Sequence, residues 1–97
     1  MKFEWLSPSA RRDVDAIRDY TIERWGRKQA TTYLQTISRR IREAENSPFL
    51  FPIVDGRDDD VRSIRAGSHR ILFLADAEKF LIVRILHDRM NTGDHLD

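Results

Sequence analysis

The fold is decided by residues 61–87, VRSIRAGSHRILFLADAEKFLIVRILH, in which three largely apolar runs are separated by two short turns. The runs are rich in Ile, Leu, Val and Phe, which favour strands. They predict an antiparallel meander of strands at Val61–Ala66, His69–Ala75 and Lys79–His87. Gly67-Ser68, between the first two strands, fits a two-residue hairpin loop with glycine first.

Two amphipathic helices are predicted before this sheet. The first extends from Pro8 to Trp25, because Ser7 can cap its start and Pro8 suits its first turn. The second extends from Arg27 to Glu45, and Gly26 separates the two. With so short a link, the helices should form an antiparallel hairpin that covers one face of the sheet. Apolar residues recur every three or four positions: Ala10, Val14 and Ile17 on the first helix, in a stripe that Thr21 and Trp25 continue, and Ala30, Leu34, Ile37, Ile41 and Ala44 on the second.

Two further segments complete the order of elements. Residues Lys2–Leu6 alternate polar and apolar side chains, which predicts a strand ahead of the first helix. Phe49–Asp60 is predicted to be a loop whose apolar members pack under the core, namely Phe49, Leu50, Phe51, Ile53 and Val54. The predicted fold class is therefore α+β with the order β-α-α-β-β-β, in one domain over residues 1–97.

The composition excludes several classes of protein. The chain of 97 residues has 0 Cys, so it forms no disulfide framework and no thiolate metal site, and it has no cysteine nucleophile. Its apolar runs, such as Phe80–Val83, are far shorter than the roughly 20 residues that span a membrane. There is no glycine-rich phosphate loop, and His69 and His95 are too scattered to suggest a metal site. We expect a cytoplasmic protein without membrane contact, cofactor or metal.

Positive charge is concentrated in arginine. Arginine outnumbers lysine 14 to 3, although the formal net charge is only +1. The guanidinium group suits bidentate recognition of anions and stacking on rings. The small net charge does not by itself indicate a nucleic-acid partner, and no direct sequence-specific binding of nucleic acid is expected.

The arginines of the predicted sheet form the first candidate site. One interpretation is the solvent face of a sheet that is covered on one side only. The other is a concave face that binds an anion or a protein target. The candidates for target binding are Arg62, Arg65, Arg70, Arg84, His87 and Arg89.

Arg84 is the most unusual of these residues, because it interrupts a strand whose neighbouring side chains are apolar. His87, at the end of the same strand, can act as a general acid or base near neutral pH. No serine or carboxylate stands at a recognised motif spacing from it, so a structural role is the alternative. Strict alternation predicts two faces for this strand: Arg84 with Phe80, Ile82 and Leu86, and His87 with Leu81, Val83 and Ile85.

Several segments resemble the ParE toxins of the ParE/RelE toxin–antitoxin superfamily. They are Val61–Arg65, Gly67–Phe73 and Ile82–Met90, and the closing pattern hydrophobic-Leu-His-x-Arg is the most specific of them. Phe3–Ala10, Tyr20, Ala30 and Tyr33 fit the same pattern, so the resemblance spans nearly the whole chain. It implies the same order of elements.

The resemblance also implies a toxin of a type II toxin–antitoxin system. Members of the ParE branch inhibit DNA gyrase through protein contact, without chemistry, and are neutralised by a ParD-like antitoxin in a hetero-oligomer. An acidic and apolar antitoxin segment would suit the arginines that border the helical stripes: Arg11, Arg12, Arg18, Arg39, Arg40 and Arg42.

Two alternatives remain beside gyrase inhibition. RelE-like members cleave messenger RNA on the ribosome, and here Arg65, Arg70, Arg84 and His87 would supply the basic and proton-transfer positions. The other alternative is a non-toxic interaction module. Asp88 follows the histidine where related ribonucleases often have an aromatic residue, and no lysine occurs between Lys28 and Lys79. Both departures favour the ParE branch.

Overall fold

The computed structural model describes residues 5–55 and 59–89. Both helices and all three strands of the predicted meander are present, and each boundary lies within one residue of the prediction. The elements are α1 (Pro8–Trp25), α2 (Arg27–Asn46), a 3₁₀ turn (Pro48–Leu50), β1 (Arg62–Ala66), β2 (His69–Ala75) and β3 (Phe80–His87). Neither helix of these ranges is long and apolar enough to cross a membrane.

The start of α1 is fixed by Ser7. Its Oγ accepts the Ala10 N–H at 3.0 Å, and Pro8 follows as the first helical residue. Gly26 lies between the helices with φ of +93°, a left-handed value that glycine adopts at low cost. Ser7 and Gly26, the cap residues that the sequence suggests, therefore do set the start of α1 and the break between α1 and α2.

The segment before α1 runs along the outer edge of β3. The Ser7 N–H donates to the Ile82 carbonyl oxygen at 2.8 Å, and the Ile82 N–H donates to the Trp5 carbonyl oxygen at 2.9 Å. Leu6 thereby forms a parallel bridge with Ile82. Most of the predicted strand Lys2–Leu6 lies outside the described residues, and its last part pairs as a strand would.

The three strands form an antiparallel sheet in the order β1-β2-β3. Ala66 pairs with His69, so Gly67 and Ser68 make the predicted two-residue loop. Gly67 has φ of +58°, as a hairpin loop with glycine first requires. On the opposite edge, β1 is bonded to the preceding loop, because the Ser63 N–H donates to the Pro52 carbonyl oxygen at 3.0 Å.

A β-bulge in β3 changes the predicted faces. Leu72 pairs with Arg84 and Phe73 pairs with Ile82, which leaves Val83 as the extra residue. The prediction that Arg84 shares one face with Phe80, Ile82 and Leu86 is wrong. The predicted grouping of Val83 with Ile85 is wrong for the same reason, since side chains before and after a bulge no longer alternate in phase. The helix-side core includes Phe80, Ile82 and Ile85, whereas Val83 and Leu86 pack on the other side of the sheet.

The main core lies between the helical hairpin and one face of the sheet. We call this the helix-side face, and the opposite one, where Val61, Leu72 and Leu86 are buried, the outer face. Trp25 departs from the predicted stripe, because this last residue of α1 is 66% exposed. The buried residues of the main core are Leu6, Ala10, Val14, Ile17, Ile37, Ile41, Ala44, Ile64, Ala66, Ile71, Phe73, Ile82 and Ile85.

The loop after α2 is buried only in part. Phe51 packs against the main core and Val54 against the outer-face cluster. The prediction that the other apolar side chains also pack under the core is wrong, since Phe49, Leu50 and Ile53 are exposed. The tight turn at Pro48–Leu50 directs successive side chains around its axis, so they cannot all point inward.

Candidate functional site

The arginines of the sheet do not share one face. Arg62 lies on the helix-side face, where its Nη1 donates to the Phe51 carbonyl oxygen at 2.7 Å and its guanidinium stacks over the Phe49 ring. Arg65 and Arg70 are paired across β1 and β2, and both belong to the outer face. The structure therefore does not gather the predicted target-binding residues into one concave surface.

Arg65 is neutralised within the chain. It forms an ion pair with Asp88, whose N–H donates to the Ser68 carbonyl oxygen at 2.9 Å. The Nε of Arg40 donates to the Arg65 carbonyl oxygen at 2.7 Å. Arg89 follows Asp88 and is exposed. This end of the sheet is thus built from charges of both signs.

Arg84 joins β3 to α1. Its Nε donates to Oδ2 of Asp13 at 2.7 Å, and its Nη2 donates to Oδ1 at 3.0 Å. Asp13 Oδ2 also accepts the Ile85 N–H at 2.8 Å. The residue that the sequence marks as most unusual is therefore part of a contact between two elements of the fold.

A cluster of three rings, Tyr33, His69 and His87, lies beside the β1–β2 turn on the helix-side face. The Tyr33 Oη is 2.6 Å from Nδ1 of His69, and the rings of His69 and His87 meet edge to face at 5.3 Å between centroids. Tyr33 Oη also accepts the Ser68 N–H at 2.9 Å and donates to the Ala66 carbonyl oxygen at 3.3 Å. This network joins α2 to the β1–β2 turn.

The environment shifts the pKa of two of these groups. Burial and the neighbouring His87 ring lower the pKa of His69 below its ordinary value of 6.5, although Asp88 and Asp13 oppose the shift. Burial raises the pKa of Tyr33. At neutral pH, His69 is therefore an uncharged imidazole beside an uncharged phenol.

Beside the ring cluster, a cleft of about 300 Å³ opens between α1, α2 and the sheet. Tyr20 and Trp25, both largely exposed, form its outer wall, and His69 and His87 lie at its base. A second, mostly apolar hollow continues it toward Asp13 along α1. Over residues 5–55 and 59–89, no group of three or more His, Cys, Asp or Glu side chains is placed to hold a metal ion.

Sequence reasoning selected His87 in this cluster but did not single out Tyr33 or His69 for a site. The pairing of His69 with His87 depends on the register of β2 and β3. Because the bulge shifts this register by one residue, counting outward from the β2–β3 turn does not give the pairing. Tyr33 belongs to the pattern of the family resemblance, which was the one available signal for it.

The candidate arginines of the helices divide into three groups. Arg18 pairs with Asp15 and Asp19, and Arg40 pairs with Glu43. Arg11 and Arg12 are exposed on the first turns of α1. Arg39 and Arg42 border an open groove along α2 whose floor includes Leu34 and Ser38.

Comparisons with known proteins support the family resemblance. Residues 6–92 match the family described as ParE toxin of the type II toxin–antitoxin system parDE. A protein named Toxin ParE1 from Mycobacterium tuberculosis is 34% identical over 92 residues, which cover 94% of each chain. Another protein named Toxin ParE1, from Caulobacter vibrioides, is 31% identical over 96 residues, which cover 99% of each chain.

The fold has a counterpart among solved structures. A chain of a structure described as a chromosomal ParDE TA system from P. aeruginosa superposes with a TM-score of 0.72 at 19% identity, covering 84% of this chain and 90% of that one. At this identity the likeness concerns the fold. The sequence matches extend over nearly the whole length, and the chain accordingly belongs to the ParE toxin family of type II toxin–antitoxin systems.

Proposed function

We propose that this toxin inhibits DNA gyrase by protein–protein contact and performs no chemistry on its target. Membership of the ParE family supports a toxin of a type II system. Gyrase is the target that the family resemblance implies.

The observation that favours this proposal over RNA cleavage is the separation of the required groups. Arg70 lies on the outer face of the sheet, since it pairs with Leu86. His87 lies on the helix-side face, in the cleft. A ribonuclease needs its proton donor, its acceptor and its charge-stabilising groups around one phosphate. Arg65 and Arg84 also hold carboxylates of the same chain.

The exposed aromatic side chains of the cleft suit a protein contact. Tyr20 is 57% exposed and Trp25 66% exposed, and both are residue types that contribute strongly at protein interfaces. Arg24 lies over the Tyr20 ring at 5.4 Å from its centroid. This end of α1 is therefore a surface through which the toxin can hold its target.

We also propose that a ParD-like antitoxin neutralises the protein by covering the groove on α2. The groove combines Leu34 with the guanidinium groups of Arg39 and Arg42. An antitoxin segment with alternating acidic and apolar side chains would complement it.

Two parallel assays test the target. In one, the purified toxin is incubated with gyrase and relaxed plasmid; in the other, with translating ribosomes and a defined message. We expect loss of supercoiling and an intact message, and addition of the antitoxin should restore supercoiling. Normal supercoiling with a cleaved message would reject gyrase inhibition in favour of the RelE-like alternative.

A further inference from the structure

His69 and His87 are direct cross-strand partners on β2 and β3. The Asp88 N–H donates to the Ser68 carbonyl oxygen, so the next pair along the ladder, His69 with His87, is a pair without mutual main-chain hydrogen bonds. Side chains of such pairs lie closest together. The rings are 5.3 Å apart between centroids, and both line the open cleft, where a small ion can reach them.

The contacts of Tyr33 suit a form of His69 that can bind a metal. When the ring carries its proton on Nδ1, that N–H donates to Tyr33 Oη at 2.6 Å. The phenol then accepts from His69 and from the Ser68 N–H and donates to the Ala66 carbonyl oxygen, so its bonding capacity is filled. Nε2 of His69 keeps its lone pair. Ligating histidines commonly have such a partner on the second ring nitrogen.

His87 has one contact that metal binding would replace. Its Nδ1 accepts the Arg89 N–H at 3.2 Å. A metal ion on Nδ1 would displace this long hydrogen bond directly. A metal ion on Nε2 would move the ring proton to Nδ1, which could then no longer accept the Arg89 N–H.

We propose that His69 and His87 together bind one divalent ion of the late first-row transition metals, with Zn²⁺ as the ion to test. Imidazole suits zinc, copper and nickel, whereas magnesium and calcium prefer oxygen ligands. Among the described residues no third His, Asp or Glu joins the pair in a metal-binding group, so water must take two of the four positions of a tetrahedral zinc ion, one more than in open sites with three protein ligands. The proposal is independent of the gyrase target.

Calorimetric titration of the untagged full chain with Zn²⁺ at neutral pH tests the site, and Mg²⁺ serves as the control ion. We expect one Zn²⁺ per chain and no heat of binding with Mg²⁺. His69→Ala and His87→Ala should each weaken Zn²⁺ binding about tenfold or more, and Tyr33→Phe should weaken it less, since it removes only an orienting contact. His95→Ala, the remaining histidine of the chain, is the matched control and should bind like the wild type.

A second measurement needs no variant and is independent of effects on folding. Nitrogen NMR of the imidazole rings, recorded on the wild-type protein during the same titration, should show the ring nitrogens of His69 and His87 shifting together. No binding of Zn²⁺ by the wild type would overturn the proposal. Equal binding by the His69→Ala and His87→Ala variants, or shifts confined to His95, would overturn it as well.

Discussion

Arg84 and Asp13 are held together by two parallel hydrogen bonds, and Asp13 additionally accepts the Ile85 N–H. The two side chains are only 26% and 14% exposed, so loss of one partner leaves the other charge poorly solvated. We expect Arg84→Ala to lower the free energy of unfolding by about 1–3 kcal/mol. Urea denaturation followed by circular dichroism measures the loss.

Arg18→Ala is the matched control for this prediction. Arg18 pairs with Asp15 and Asp19 at exposed positions, where ion pairs contribute about 0–1 kcal/mol. If the two variants unfold at the same urea concentration, the contact between β3 and α1 does not contribute to stability in the way we describe.

Gly67 lies against the Tyr33 ring, and this contact should make Gly67→Ala destabilising. An added Cβ would stand 2.7 Å from Tyr33 Cε1, and φ of +58° alone strains an alanine by about 1–2 kcal/mol. Gly26→Ala has a positive φ too, but nothing lies within 4 Å of its Cβ. Thermal melting should therefore show a larger loss for Gly67→Ala than for Gly26→Ala. The reverse order would contradict the packing of Tyr33 on the turn.

Stability should depend on pH through His69. Because burial lowers the pKa of His69 in the folded protein, the unfolded chain binds a proton below about pH 6.5 that the folded chain does not. The free energy of unfolding is therefore undiminished above that pH. It decreases as the pH falls from about 6.5 toward the lower pKa of His69 in the folded protein, where the folded chain binds the proton too. Urea unfolding between pH 8 and pH 5 should show a steeper loss for the wild type than for His69→Gln.

If the urea series is extended below pH 4, Asp76 provides an internal reference. Two main-chain bonds, from the Glu78 and Lys79 N–H groups, lower the pKa of Asp76 below 3.8. The stabilisation that these hydrogen bonds give to the folded protein is present above pH 3.8 and is lost only in more acidic solution. Parallel curves for the wild type and His69→Gln above pH 5 would rule out the role assigned to His69.

His87→Ala separates the two proposed modes of action. For a toxin that binds its target, removal of this ring should change inhibition of supercoiling only modestly. For a ribonuclease that uses His87 to transfer a proton, cleavage should slow by about 10²–10⁴-fold. Dose–response curves in the gyrase and ribosome assays, with melting curves to verify folding, give the answer. A loss of the larger size in a correctly folded variant would argue for catalysis.

The charged groove on α2 should contribute more to antitoxin binding than the start of α1. Arg39→Glu with Arg42→Glu reverses two charges beside Leu34, and like charges across an interface cost several kcal/mol. We expect the antitoxin to bind this double variant at least tenfold more weakly. Arg11→Glu with Arg12→Glu is the control of equal charge change. Equal losses in both variants would place the antitoxin elsewhere or along both helices.

Helix and strand boundaries were predictable because local signals set them. Ser7 and Pro8 start α1, and Gly26 separates the helices in the way that their individual conformational preferences dictate. The hairpin at Gly67 is encoded in the same way. These preferences act within a few residues and require no knowledge of the rest of the chain.

The site was less predictable, because it depends on register and on contacts between distant elements. The bulge at Val83 is decided by the pairing of β2 with β3, and no periodic pattern in one strand shows it. The partner of Arg84 is 71 positions away. Sequence reasoning therefore found His87 and Arg84 as unusual residues, but could not supply Tyr33, His69 or Asp13 as their neighbours.

Both edges of the sheet are occupied, and this restricts how any partner can join the toxin. At the edge formed by β3, the outward-facing main-chain groups of Ile82, Val83 and Ile85 are already hydrogen-bonded. Their partners are groups of Trp5, Ser7 and Asp13. Pro52 and Arg40 take the outward bonds of β1 at Ser63 and Arg65, and Val54 takes that of Val61 just before the strand. A polypeptide cannot extend this sheet by strand addition unless it first peels one of those segments away. A partner that adds a strand at the β3 edge should therefore associate slowly, and its association should become faster when residues 5–7 are detached. A partner that docks on side chains should bind without that delay.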